Sequence, residues 1–109
     1  MTKNIFDGKW RIIEMEVWSQ ESIDLVEPGY IDFYENGKSG ALHFICIYAD
    51  INYEVTSKNK SVFSFQGDDE GDAISGRGWA TIKKDELHGR IFIHNGDNST
   101  FKAKLIEDM

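Results

Sequence analysis

Apolar residues alternate with polar ones along most of this chain, in short runs separated by charged or glycine-containing turns. A two-residue period puts alternate side chains on opposite faces of an extended strand. The turn segments 35–38, 57–60, 83–86 and 95–98 recur at about ten-residue spacing, the mark of an antiparallel meander. The pattern predicts strands over 9–18, 30–34, 40–48, 51–56, 61–66, 74–82, 87–94 and 100–106. Segment 19–26 is ambiguous, with one helical turn around Ser22 compatible with its residues. The predicted fold is all-β: an up-and-down meander of about eight strands forming one small, closed or nearly closed, lipocalin-like barrel over residues 1–109.

Alternation also predicts the faces. The core side carries Ile13, Met15, Val17, Ile31, Phe33, Leu42, Phe44, Cys46, Tyr53, Val55, Phe63 and Phe65. It continues through Leu87, Ile91, Ile93, Phe101, Ala103 and Leu105. The opposite face is not uniformly polar, because Trp10, Ile12, Trp18, Tyr34, Ile45, Ile47, Val62, Trp79 and Phe92 fall on it. That much apolar area asks for an explanation, with a dimer interface, a ligand groove and a second layer of packing as the three readings.

The length of 109 residues suits one domain with a real core, and the composition (40% hydrophobic, 28% charged) is ordinary globular usage. Aromatic residues reach 13%, which favours strands and aromatic-lined sites. The net charge of −7 argues against nucleic acid and anionic membrane surfaces as partners. The opening residues lack a signal-peptide pattern and no apolar run approaches a membrane span, so the expected compartment is the cytoplasm. The lone Cys46 reads as a small buried hydrophobe rather than a reactive thiol.

Two resemblances stand in the sequence. Phe6-Asp7-Gly8-Lys9-Trp10 looks like the Gly-x-Trp opening of the lipocalin and fatty-acid-binding superfamily. There the Trp plugs one barrel end under a basic residue, a part open here to Lys102 or Lys104. Nearly the whole chain also resembles an uncharacterised family of small bacterial proteins. That resemblance rests on Trp10, Met15-Glu16, Trp18, Asp24-Leu25-Val26, and the blocks Phe65 to Ala80 and Gly89 to Phe101. Family members often carry Cys and Pro where this chain has Gly71 and Ala73. The resemblance implies the fold and no activity.

No catalytic, cofactor or nucleotide motif stands out, and no cofactor is expected. His88, Arg90, Phe92 and His94 share one strand face, with Arg77 and Trp79 expected on the neighbouring strand facing the same way. Cations beside aromatics suit an anionic ligand through charge-assisted hydrogen bonds and stacking. The candidate ligand residues are therefore Arg77, Trp79, His88, Arg90, His94 and His43. His88 and His94 stand roughly 20 Å apart on an extended strand, too far to share a metal. Asp68, Asp69, Glu70 and Asp72 are weak metal candidates that read more simply as a solvated turn. Gly76 and Gly78 inside a strand mark a bend or a close backbone rather than a phosphate loop. Glu14 and Glu16 share a face, as any alternating strand would arrange them. The leading functional expectation is a non-enzymatic small-molecule-binding protein with a partly apolar, anionic ligand. An interaction module acting through a homodimer or a protein partner, and a metal-dependent enzyme using the acidic loop, are the alternatives.

Overall fold

In the computed structural model, which describes residues 4–106, eight antiparallel strands follow one another around a closed barrel. They are β1 Gly8–Met15, β2 Tyr30–Phe33, β3 Ser39–Phe44, β4 Ile47–Ser57, β5 Lys60–Asp69, β6 Asp72–Lys83, β7 Glu86–Ile93 and β8 Asn98–Leu105. Each strand pairs with the next, and β8 returns to β1 with Met15 opposite Phe101. Closure leaves no free sheet edge, which removes the usual template for strand addition. One short helix, α1 Gln20–Ile23, lies between β1 and β2.

The interior is filled by inward side chains. Phe33 stacks edge-on against Tyr53 at 4.8 Å, and Phe6 lies 5.6 Å from Phe33. Trp10 is buried and its indole N–H donates to the Phe6 carbonyl. Lys102 and Lys104, the cations considered for Trp10, reach Glu14 and Glu86 instead. Glycines make room for the aromatic rings. A Cβ on Gly78 would stand 2.6 Å from Cζ of Phe63, and one on Gly89 would stand 2.7 Å from the Phe101 ring. These are the close approaches that glycines inside strands signal.

The strand phases differ from the alternation reading in two places. A bulge between Ile12 and Glu14 adds one residue to β1, so Trp10 and Ile12 face inward before it and Met15 after it. Ile13 is left half-buried, and Val17 lies exposed beyond the end of β1. Second, the chain turns at Ile45-Cys46 instead of running straight from 40 to 48. That turn sends Ile47, Ala49 and Ile51 inward on β4 and leaves Cys46 half-buried outside the core. Val55 and Leu105, expected inside, are exposed near strand ends, and Ile93 is half-buried.

The segment after β1 closes the neighbouring end of the barrel. Ser19, not Ser22, caps α1, its hydroxyl accepting from the Ser22 N–H. Ile23 is fully buried, and its carbonyl accepts the Ile45 N–H at 2.8 Å. Among the described residues no helix is long and apolar enough to cross a membrane.

Candidate functional site

The three longest strands are β4, β5 and β6, with 11, 10 and 12 residues. Their outer faces, with that of β7, carry a trough. Register sets one row of side chains across it: Asn52 opposite Ser64, Ser64 opposite Arg77, Arg77 opposite Phe92. The next row runs Glu54, Val62, Trp79 and Arg90. The small Ser64 side chain leaves a floor between taller walls. One cavity of about 560 Å³ lies among Lys60, Val62, Arg77, Trp79 and Phe92. A more polar one of about 810 Å³ adjoins it, with Asp50, Gln66, Ser75, His94 and Asn98 in its lining. Both include Asn52, Ser64, Arg77 and Phe92, so Arg77 stands where they meet.

Cations and aromatic rings are interleaved here. The Arg77 guanidinium carbon lies 4.5 Å from the Phe92 ring centroid, and Lys60 Nζ lies 5.3 Å from that of Trp79. Among the described residues Arg77 has no carboxylate partner within salt-bridge reach. Its hydrogen-bond donors are therefore held at the trough by stacking, without an internal counter-ion.

The six residues singled out from sequence separate into three groups. Arg77 and Trp79 line the first cavity, and His94 lines the second. His88 and Arg90 belong to a ladder of polar and charged pairs around the β7–β8–β1 seam. His88 Nε2 lies 3.3 Å from Glu86, and Arg90 lies 3.7 Å from Glu16. Glu14 is likewise engaged, by Lys102 at 3.8 Å. Arg90 still lies over the outer edge of the site, 6.0 Å from the Phe92 ring centroid.

His43 lies elsewhere and is fully buried, which corrects its assignment to the ligand group. Its cross-strand neighbours Tyr30 and Tyr48 close over it on the outer face of β3. The imidazole stacks on Tyr48 at 4.0 Å, and its Nδ1 donates to the Ile47 carbonyl at 2.8 Å. Tyr48 in turn donates to Glu27, and this hydrogen bond pushes its hydroxyl pKa up to about 12.

The acidic segment forms a tight hairpin turn. Asp69 pairs with Asp72 across Glu70-Gly71, both of which have positive φ, at 54° and 94°. Asp68 and Asp69 are consecutive in β5, so their side chains leave on opposite faces. Among the described residues no group of three or more His, Cys, Asp or Glu side chains is arranged to hold a metal ion. Cys46 lies beside this turn, and its thiol pKa is pushed up first by desolvation, then by Glu70 and Asp69. A raised thiol pKa lowers the thiolate fraction and makes the residue a poor nucleophile.

Sequence reasoning missed Lys60, Asn52 and Ser64. Lys60 was legible only as a turn cation, and its approach to Trp79 is diagonal across the β5–β6 pair. Comparison with known proteins adds nothing to this geometry: no family model, curated protein or solved structure matches the chain.

Proposed function

We propose that the protein is a non-enzymatic binding protein for a small anion with a flat apolar portion, held in the trough on the outer face of β4–β7. The observation that carries this reading is Arg77, stacked on Phe92 beside Trp79 and free of any ion pair among the described residues. A cation without a local carboxylate can give its full charge-assisted hydrogen bonding to a carboxylate or phosphate on a ligand. The flanking rings supply apolar contact for the rest of that ligand. The cavity sizes fall within the roughly 300–1,000 Å³ common for small-molecule sites. The interior is filled by buried side chains, which favours the outer wall of the barrel for such a ligand.

The test is a thermal-shift and tryptophan-fluorescence screen with aryl carboxylates and aryl phosphates. A ligand in the trough should raise Tm and quench Trp79, with a Trp79→Phe variant separating its emission from that of Trp10 and Trp18. Arg77→Ala should weaken binding by about tenfold or more, the scale of a lost charge-assisted hydrogen bond. Arg90→Ala, which removes a cation paired with Glu16, should change it far less. Equal losses from both substitutions would show that general positive charge, not the Arg77 geometry, attracts the anion.

A further inference from the structure

The outward side chains of the trough change character along the strand direction. A first row runs Asp50, Gln66 and Ser75, with His94 brought alongside by its backbone N–H, which donates to the Ser75 carbonyl at 2.8 Å. A second runs Asn52, Ser64, Arg77 and Phe92, and a third Glu54, Val62, Trp79 and Arg90. Successive outward positions on a strand stand about 7 Å apart, so the outer rows are separated by about 14 Å. The cavity of about 810 Å³ spans the first and second rows, and that of about 560 Å³ the second and third. A ligand lying along the strands therefore meets hydrogen-bonding groups at one end, Arg77 in the middle and Val62 with Trp79 at the other.

The hydrogen-bonding end is left unmatched by the protein itself. Around the β7–β8–β1 seam, polar side chains find partners: Glu14 with Lys102, Glu16 with Arg90, Glu86 with His88 and Lys104. Asn52, Ser64, Gln66, Ser75 and Asn98 all line the 810 Å³ cavity, and their side chains make no hydrogen bond among the described residues. Amides and hydroxyls both donate and accept, as sugar hydroxyls do. An apolar group laid over them would displace their water and return nothing, whereas a hydroxylated one replaces it bond for bond. Charge gives the direction. Glu54 and Lys60 balance in the smaller cavity, and Asp50 is the carboxylate of the larger one, so Arg77 is the net cation and an anionic group is disfavoured at the polar end.

We infer that the anion of the trough is an internal one: a phosphate linkage that carries a flat ring on one side and a neutral sugar on the other. The inference rests on the reading of the trough as an anion site and adds the second cavity to it. The ring lies along Val62 and Trp79, the phosphate oxygens accept from Arg77, and the sugar hydroxyls meet Gln66, Ser75 and Asn98. A terminal anion at the sugar end would face Asp50 and bind more weakly. Sugar esters of nucleoside diphosphates have this order of parts, and a simple aryl phosphate has only two of the three.

The experiment measures binding to the full-length protein by isothermal titration calorimetry and saturation-transfer NMR, with uridine diphosphate glucose, uridine monophosphate and glucose 1-phosphate as probes. The three-part probe should bind at least about tenfold more tightly than either fragment, with saturation reaching both its uracil and its glucose protons. A Gln66→Ala, Ser75→Ala double variant, altered only at exposed positions, should lose most of that advantage and keep its affinity for uridine monophosphate. Arg77→Ala should weaken all three probes. Uridine diphosphate glucuronate should bind more weakly than the glucose ester, and Asp50→Asn should narrow the gap. If the glucose ester binds no more tightly than uridine monophosphate, or the double variant keeps the advantage, the inference falls, while Arg77-dependent binding of aryl phosphates in the same assay leaves the trough reading standing. Failure of every probe, aryl phosphates included, would remove both.

Discussion

Arg11 and Asp24 meet through two parallel hydrogen bonds of 2.8 Å, and the Gly29 N–H and the Gln20 side chain donate to the same carboxylate. This hub ties the segment that closes one barrel end back to β1. The arginine is the main reason the Asp24 pKa lies well below the usual carboxylate value, partly opposed by burial. Because the folded value is depressed, the stabilisation is full above the unfolded carboxylate pKa of about 3.9 and is lost as pH falls towards the folded one. Asp24→Asn should cost about 1–2 kcal/mol at neutral pH and flatten the acid limb of the stability profile below about pH 4. Urea titrations at neutral and acid pH would check both, and an acid limb unchanged in the variant would assign it to other carboxylates. At Gly89 the constraint is steric. A Cβ there would stand 2.2 Å from the Trp79 carbonyl oxygen as well as 2.7 Å from the Phe101 ring. Gly89→Ala should destabilise by about 1–3 kcal/mol, the usual cost of overpacking. Adding Phe101→Leu should not restore the loss, because the backbone contact remains, and thermal melts of the single and double variants would show it.

Turns distinguish what the chain announces from what it conceals. The β6–β7 hairpin has two central residues, Lys84 and Asp85, with φ of 50° and 69°. Those left-handed conformations belong to the tight turn whose twist matches the strands, and Asn-Gly adopts them at least cost. Replacing Lys84-Asp85 by Asn-Gly should stabilise the protein by about 1 kcal/mol, read as a higher urea midpoint at unchanged slope. The hidden counterpart is Ile45, at φ 58°. A β-branched residue is a poor occupant of that region, so neither glycine nor asparagine marks the β3–β4 turn. The Ile23 carbonyl holds the Ile45 N–H in place, a tertiary contact that periodicity cannot register. The bulge at Ile13 was equally silent, since one inserted residue shifts a face without changing composition. From β5 to β8, where turns carry Glu-Gly, Lys-Asp and Asn-Gly pairs, alternation placed Phe63, Phe65, Leu87, Ile91, Phe101 and Ala103 correctly in the interior. The same regularity made Arg77, Trp79 and Phe92 legible as neighbours. His43 and Lys60 were not, because their roles depend on partners across strands whose register had to be known first.

Closure of the whole barrel joins the least local pair of strands. Neighbouring strands from β3 to β7 are linked by two-residue turns, whereas β1 and β8 meet from opposite ends of the chain, Trp10 opposite Leu105. Loop entropy makes short-range hairpins the less costly nucleus, with the β1–β8 seam forming after the transition state. Phe63 in β5 and Phe101 in β8 are both buried and face glycines across the interior wall, so they make a matched pair of probes. Phe63→Leu and Phe101→Leu should each destabilise by about 1–2 kcal/mol, enough for kinetic analysis. Stopped-flow tryptophan fluorescence across a urea series would partition those losses. Phe63→Leu should chiefly slow folding, and Phe101→Leu should chiefly accelerate unfolding. If Phe101→Leu slowed folding as strongly, the seam would already be formed in the transition state, and the barrel would close before its central hairpins were consolidated.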